Sequence, residues 1–251
     1  MRDLSAVAAL RGRDSWKPPR PDGLDVVRAG RFGVQYEPIV EVATGRLHAY
    51  EALARFHRRD GVAVPPAVVF ERLRAAPELL VRTELALKRL QIEEAPGPRV
   101  FVNVSPDTWS LASRAFREVI ATSRVDVVVE AVENVHAHAV GRGATMLREL
   151  AKAGIPTALD DLCGANVLVS VEELNLARVL KLDRSVLRRV DDPSRRALDF
   201  MLAFARRTGK PVVAEGVETA ADFNVVRELG IGFAQGDLFR EGFRRVMPSH
   251  H

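Results

Sequence analysis

Polar residues recur at one kind of place in this chain, the C-terminal end of a short β-branched run. Glu51 closes "RLHAYEAL", Asn103 "RVFVNVS", Glu130 "VDVVVEAV" and the pair Asp160 and Asp161 "PTALDDL". Lys181 ends "RVLKLD", Glu215 "PVVAEGV" and Gln235 "GIGFAQG". A single acid at a strand end reads as a helix N-cap or a rim ion pair. Repeated on strand after strand, these residues instead suit convergence on one face. Carboxylates gathered there with the Asn103 amide repel one another unless cations sit among them. Oxygen-only ligands suit Mg2+ or Mn2+, so a metal site, of two ions, is expected. Within "AYEALARF", Glu51 and Arg55 are either a surface ion pair or the place where Glu51 meets such a cation.

The elements that must position these groups alternate along the chain. Strand candidates are "FGVQYEPIV", "RLHAYEAL", "RVFVNVS", "VDVVVEAV", "PTALDDL", "RVLKLD", "PVVAEGV" and "GIGFAQG". Between most of them lie stretches with helical spacing, such as "ELLVRTELALKRLQIEEA", "HAVGRGATMLRELAKAG" and "SRRALDFMLAFARRTGK", the last two with Gly near the C-terminus as C-caps have. Roughly eight strand and helix units in one chain predict an α/β fold, a single (β/α)8 TIM-like barrel. An open doubly wound sheet is the alternative. In a parallel barrel the strand ends named above all share one mouth.

Composition narrows the class. Of 251 residues, 47% are hydrophobic and 28% charged, enough for a sizeable core. The net charge is +4, but arginines are interleaved with acids, as in "SVLRRVDDPSRRALDF". That is a solvated face, so no nucleic-acid polymer is expected as partner. The lone Cys163 excludes an internal disulfide and fits a reducing cytoplasm. No apolar run reaches the ~20 residues of a membrane span, and no membrane partner is expected. "KPPRPDG" reads as a linker. The expected division is a flexible extension over 1–30, a domain over 31–246 and a tail over 247–251.

Several motifs together are similar to a known family. "YEPIVEVATGRLHAYEALARF", "NVSP", "VVVEAVEN", "ALDD", "VLKLDRSVL", "VVAEGVET" and "AQGDLF" resemble, in order and spacing, the EAL-domain phosphodiesterases that hydrolyse the bacterial second messenger cyclic di-GMP. The resemblance covers residues 31 to 245 and implies the EAL barrel, bound Mg2+ or Mn2+ as two ions, and hydrolysis to linear pGpG. It implies that Glu51, Asn103, Glu130 and Asp160 hold one metal, and that Asp160, Asp161 and Glu215 hold the second. Lys181 would hold the water between them, with Gln235 in support. Glu133 and Glu218 would anchor the loop after the double aspartate. Arg55 matches the arginine that grips a substrate phosphate, for which its planar fork is suited.

Departures from the pattern bear on regulation and affinity. The loop after the aspartates reads "LCGANVL", residues 162 to 168, where the family has a glycine and serine pattern that couples metal occupancy to dimerisation. A homodimer and an upstream sensor or effector protein are accordingly the protein partners implied. Glu37 stands where the family has Gln, near the expected guanine pocket, and Asp237 where it has Tyr. Both are candidate substrate contacts. The segment after the second strand follows the family only loosely. Trp16, Trp109 and Cys163 read as packing residues. The alternative function is a catalytically weak or inactive EAL domain that serves as a cyclic di-GMP receptor or an interaction module.

Overall fold

The structure is a computed structural model, which describes residues 24–131, 141–164, 169–187 and 192–247. Among the described residues ten strands form one sheet: β1 (Phe32–Glu41), β2 (Leu47–His57), β3 (Ala63–Val64), β4 (Arg99–Val104), β5 (Asp126–Ala131), β6 (Thr157–Leu162), β7 (Val179–Leu182), β8 (Val212–Ala214), β9 (Phe233–Gln235) and β10 (Arg244–Val246). Helices α1 (Leu24–Arg28), α2 (Pro66–Leu73), α3 (Pro77–Glu93), α4 (Pro106–Ala121), α5 (Arg142–Lys152), α6 (Val171–Leu176), α7 (Asp192–Thr208) and α8 (Ala220–Glu228) alternate with them.

The strand order β1-β9-β8-β7-β6-β5-β4-β2 closes on itself through a β1–β2 pairing, so the sheet is a barrel, with β3 and β10 added outside the ring. From β2 round to β9 the neighbours are parallel. The first strand departs from the all-parallel barrel that strand and helix alternation predicts. It runs antiparallel to β2, β9 and β10. Residues 42–46, with the Gly45 N–H donating to the Glu41 carbonyl, are the whole β1–β2 connection. A parallel crossover needs a dozen or more residues, so so short a link allows only a hairpin.

Period-two alternation explains the interior. Ile39, Ala49, Phe101, Val128, Ala158 and Val213 form one buried cluster, joined by Val179 and Phe233. Each strand of the ring contributes one of them. Two residues further toward the mouth, on the same face, stand Glu37, Glu51, Asn103, Glu130, Asp160, Lys181, Glu215 and Gln235. An apolar floor therefore lies directly under a polar layer. Larger clusters fill the space between the ring and its helices.

Of the extension expected over residues 1–30, the described part begins with α1, whose Val26 and Val27 are buried against Phe56, Val69 and Leu73. Residues 1–23 and 248–251 lie outside the described residues. Among the described residues, no helix is long and apolar enough to cross a membrane.

Candidate metal centre

The residues expected at strand ends converge, although Glu51 lies in the middle of β2, which runs on to His57, and not at its end. Glu51 is buried and accepts hydrogen bonds from Asn103 Nδ2 at 3.0 Å and Gln235 Nε2 at 2.6 Å. At the centre is the Lys181 ammonium, fully buried, with Glu215 at 2.6 Å, Glu130 at 2.7 Å, Asp160 at 2.9 Å and Glu51 at 3.3 Å. These are ionic contacts, and none meets hydrogen-bond geometry at the ammonium nitrogen. Asp161 stands beside them, so among the described residues the Lys181 ammonium faces five carboxylates.

The electrostatics follow from that imbalance. Burial, and then the neighbouring Glu51 charge, push the Glu130 carboxyl well above its ordinary range. Burial raises Glu215 likewise, with Lys181 opposing it and Asp160 adding to it. Asp161 is pushed up to about 6 by burial and by Asp160. Burial also acts to raise Glu51, but Lys181 and the Gln235 hydrogen bond outweigh it and the net shift is downward. Burial opposes the charge on Lys181, and the surrounding carboxylates more than restore it.

Buried carboxylates ordinarily find partners. Here both Glu130 oxygens, Asp160 Oδ1 and the Gln235 Oε1 amide oxygen are buried without a hydrogen bond. Ligand oxygens of Glu51, Glu130 and Asp160 lie within 4.8 Å of one another, and those of Asp160, Asp161 and Glu215 form a second such set. Glu130 Oε1 and Asp160 Oδ1 meet only the shared Lys181 charge, and these oxygens with the hard, anionic donor set fit divalent cations at two places that share Asp160.

Local backbone makes the shared position workable. Consecutive strand residues point to opposite faces, so Asp160 and Asp161 in a regular strand would not face one cavity. The β6–β7 register shifts between Leu159 and Leu162, and Asp161 takes a left-handed conformation with φ 57°. Cys163 follows with φ 65° and packs half-buried against the core. Two glycines let the chain turn directly after functional residues. A Cβ on Gly216 would lie 2.2 Å from the Arg184 Cβ, and one on Gly236 2.4 Å from the Val217 backbone.

Not every expected site residue joins the cluster. Arg55 lies further along β2 and pairs with Glu37 at 3.1 Å. Asp237 and Glu218 line the rim of a cleft of about 540 Å3 that also contains Glu37, Glu51, Asp160, Asp161 and Glu215. Asp237 is paired with Arg240. Glu133 and residues 165–168 of the altered loop lie outside the described residues. Trp109 is buried and donates to Glu149 at 2.9 Å, a packing role.

Further residues that the strand-end pattern does not include line the site. Asp183 and Arg184 line the 540 Å3 cleft, and Asp183 was signalled by its spacing of two from Lys181. On α3, Glu84, Lys88 and Gln91 are buried in a polar chain. Thr108 donates to Glu84 at 2.8 Å, Lys88 to Gln91 at 2.8 Å, and Gln91 to the Ala52 carbonyl at 2.7 Å. Burial lowers Lys88 to about 8. Their spacing of four and three continues the buried stripe of Leu80, which was the available sign. They line a second cleft, of about 530 Å3, whose apolar wall is Leu53, Ala54, Pro66, Ala67 and Phe70. A larger cavity of about 770 Å3 opens at the opposite mouth, far from the acids. There Lys210 is engaged by the Asn175 and Ala177 carbonyls and Arg99 by Asp126.

A sequence profile described as the EAL domain matches residues 23–241. A protein of uncharacterised function from Azorhizobium caulinodans is 30% identical over 243 residues, covering 88% of this chain and 32% of that protein. The cyclic di-GMP phosphodiesterase RocR of Pseudomonas aeruginosa is 29% identical over 250 residues, covering 92% of this chain and 62% of RocR. The chain thus spans less than two thirds of the length of these relatives. Among solved structures, the PaMucR phosphodiesterase in complex with c-di-GMP superposes with a TM-score of 0.73 at 22% identity, covering 91% of this chain and 96% of that one. The Klebsiella pneumoniae BlrP1 manganese and cyclic di-GMP complex gives 0.69 at 23%, covering 86% of this chain and 56% of that one. At those identities the likeness concerns the fold.

Proposed function

The chain belongs to the EAL domain family, and from that premise we propose that it is a metal-dependent phosphodiesterase that hydrolyses cyclic di-GMP to linear pGpG. What carries the reading is the sharing of Asp160 by two sets of carboxylate oxygens, each set within 4.8 Å. Glu51, Asn103, Glu130 and Asp160 would hold one Mg2+ or Mn2+, and Asp160, Asp161 and Glu215 the other. Such ions, when bound, would polarise a phosphoryl oxygen and lower the pKa of a bound water.

The chain's own groups do the rest. The Lys181 charge holds the carboxylates around it by ion pairing, and Gln235 and Asn103 hold Glu51 in place. Arg55 offers its fork to a phosphate oxygen. The apolar wall of Leu53, Ala54, Pro66, Ala67 and Phe70 receives a base, and Glu37 and Asp237 border the other side of the mouth. The reading takes residues 31–246 as the domain, with α1 as its packed lead-in.

Binding without cleavage is the second reading, favoured by the loop "LCGANVL", residues 162–168, which departs from the family directly after the two aspartates. One experiment separates the readings: the purified protein is incubated with cyclic di-GMP and either Mg2+ or Mn2+, and the products are resolved by chromatography. Linear pGpG is the expected product. Ligand binding with no product in either metal establishes the receptor, and neither binding nor product overturns both.

A further inference from the structure

The geometry points to Glu37 as a built-in competitor for phosphate on Arg55, a residue that sets how tightly the protein holds a phosphodiester. The inference rests on the proposed role of Arg55 as a phosphate clamp.

The β1–β2 hairpin creates the contact. Its register places Gly33 opposite Arg55, Gln35 opposite Leu53 and Glu37 opposite Glu51, and residues two apart share a face. Arg55 turns back along the sheet toward Glu37. One guanidinium nitrogen reaches Glu37 Oε1 at 3.1 Å and the other the Ala54 carbonyl at 3.0 Å. The same Glu37 oxygen accepts from Gln35 Nε2 at 2.8 Å, and Gln35 Oε1 accepts from Arg245 Nε at 2.7 Å. A chain of hydrogen bonds from Arg245 to Arg55 thus fixes Glu37 in place, with 17% of its side chain exposed.

Charge gives that arrangement its consequence. Glu37 stands directly across from Glu51 and lines the same cleft as Asp160, Asp161 and Glu215. Like charges directly opposite on paired strands are destabilising, and Arg55 is the cation that relieves Glu37. A phosphate that takes the Arg55 fork must displace the Glu37 carboxylate. Glu37 is then left beside Glu51 without its counter-ion and close to the incoming anion. Substrate therefore binds less tightly than it would with a neutral residue of the same shape, and selectivity favours ligands whose phosphate can outcompete a carboxylate.

The test is a double-mutant cycle on the full chain. The probe is cyclic di-GMP in Ca2+, with the ligand shown by chromatography to remain intact, and the readout is Kd by calorimetry. Glu37→Gln is expected to tighten binding about tenfold in the native background and by less than about twofold in an Arg55→Ala background. Should Arg55→Ala bind too weakly to measure, Arg55→Gln, which keeps a hydrogen-bond donor and loses the charge that Glu37 pairs with, takes its place in the cycle. An unchanged Kd for Glu37→Gln, with the native protein binding, overturns the competitor role and leaves the proposed function standing. Equal tightening in both backgrounds also overturns it, since Glu37 would then act on the ligand without Arg55. No binding by the native protein or any variant overturns the proposed function and this inference with it.

Discussion

At the scale of single residues, Asp160 is the one carboxylate that both acidic sets need. Asp160→Asn exchanges a charged, two-oxygen ligand for an amide that cannot serve two cations. Metal affinity is expected to fall by about 10–100-fold or more, with loss of Mn2+-dependent hydrolysis and an unchanged circular dichroism spectrum. Retained activity would remove Asp160 from its role. Asp161 adds a pH signature. Its folded pKa, about 6, lies above the ordinary aspartate value. Its contribution to stability is therefore full below the unfolded pKa and is lost as pH rises through about 6. Glu130 and Glu215, also raised, act in the same sense. Metal must displace those protons, so divalent-ion affinity rises with pH across the same window. Calorimetric titration with Mn2+ at pH 5 and pH 7.5 checks this, and a flat affinity would contradict it.

At the scale of elements, strand ends place functional groups only where the backbone can leave the sheet at once. Gly236 follows Gln235 with φ 151° and ψ −174°, a region open essentially to glycine alone. Its absent Cβ is the space that the Val217 backbone occupies. Gly236→Ala is expected to cost about 1–3 kcal/mol from the conformation, with the steric clash adding to it. Because Gln235 donates to Glu51 at 2.6 Å, the variant should also lose metal affinity. Chemical denaturation and metal titration report the two effects separately. A stable variant with native metal binding would show that the Gln235–Gly236 turn is not needed in this form.

At the scale of the whole molecule, the barrel closes around uncompensated negative charge, with Lys181 as its internal counter-ion. Removing one partner from a buried ionic set costs about 3–5 kcal/mol. Lys181→Met should accordingly lower the melting temperature strongly in EDTA and much less with Mn2+, which supplies charge in the same cavity. For the native chain, Mn2+ at about a hundred times its Kd should add about 2.7 kcal/mol of stability. Differential scanning calorimetry with and without EDTA decides both. If Lys181→Met melts equally low in either condition, the metals do not share a cavity with the lysine.

Much of the centre was legible in residue order, because strand period and strand end are local properties. Asn103, Glu130, Asp160, Lys181, Glu215 and Gln235 each sit close to the C-terminal end of a strand and Glu51 in the middle of β2, all two residues beyond an apolar one, and that spacing puts them on one face. The hairpin was legible too, since "VATGR" is too short for a crossover, yet the alternation of later strands suggested otherwise. Tertiary structure decided the rest, for reasons of contact and not of pattern. The left-handed backbone at Asp161 turns two adjacent acids into one cavity. Barrel closure brings Gln235 onto Glu51, 184 residues away in sequence, and Arg245 onto Gln35. Direction reversal in β1 gives Arg55 the Glu37 carboxylate as its partner. Local sequence sets which face a side chain takes, whereas its partners on that face depend on which distant strands the closed ring places beside it.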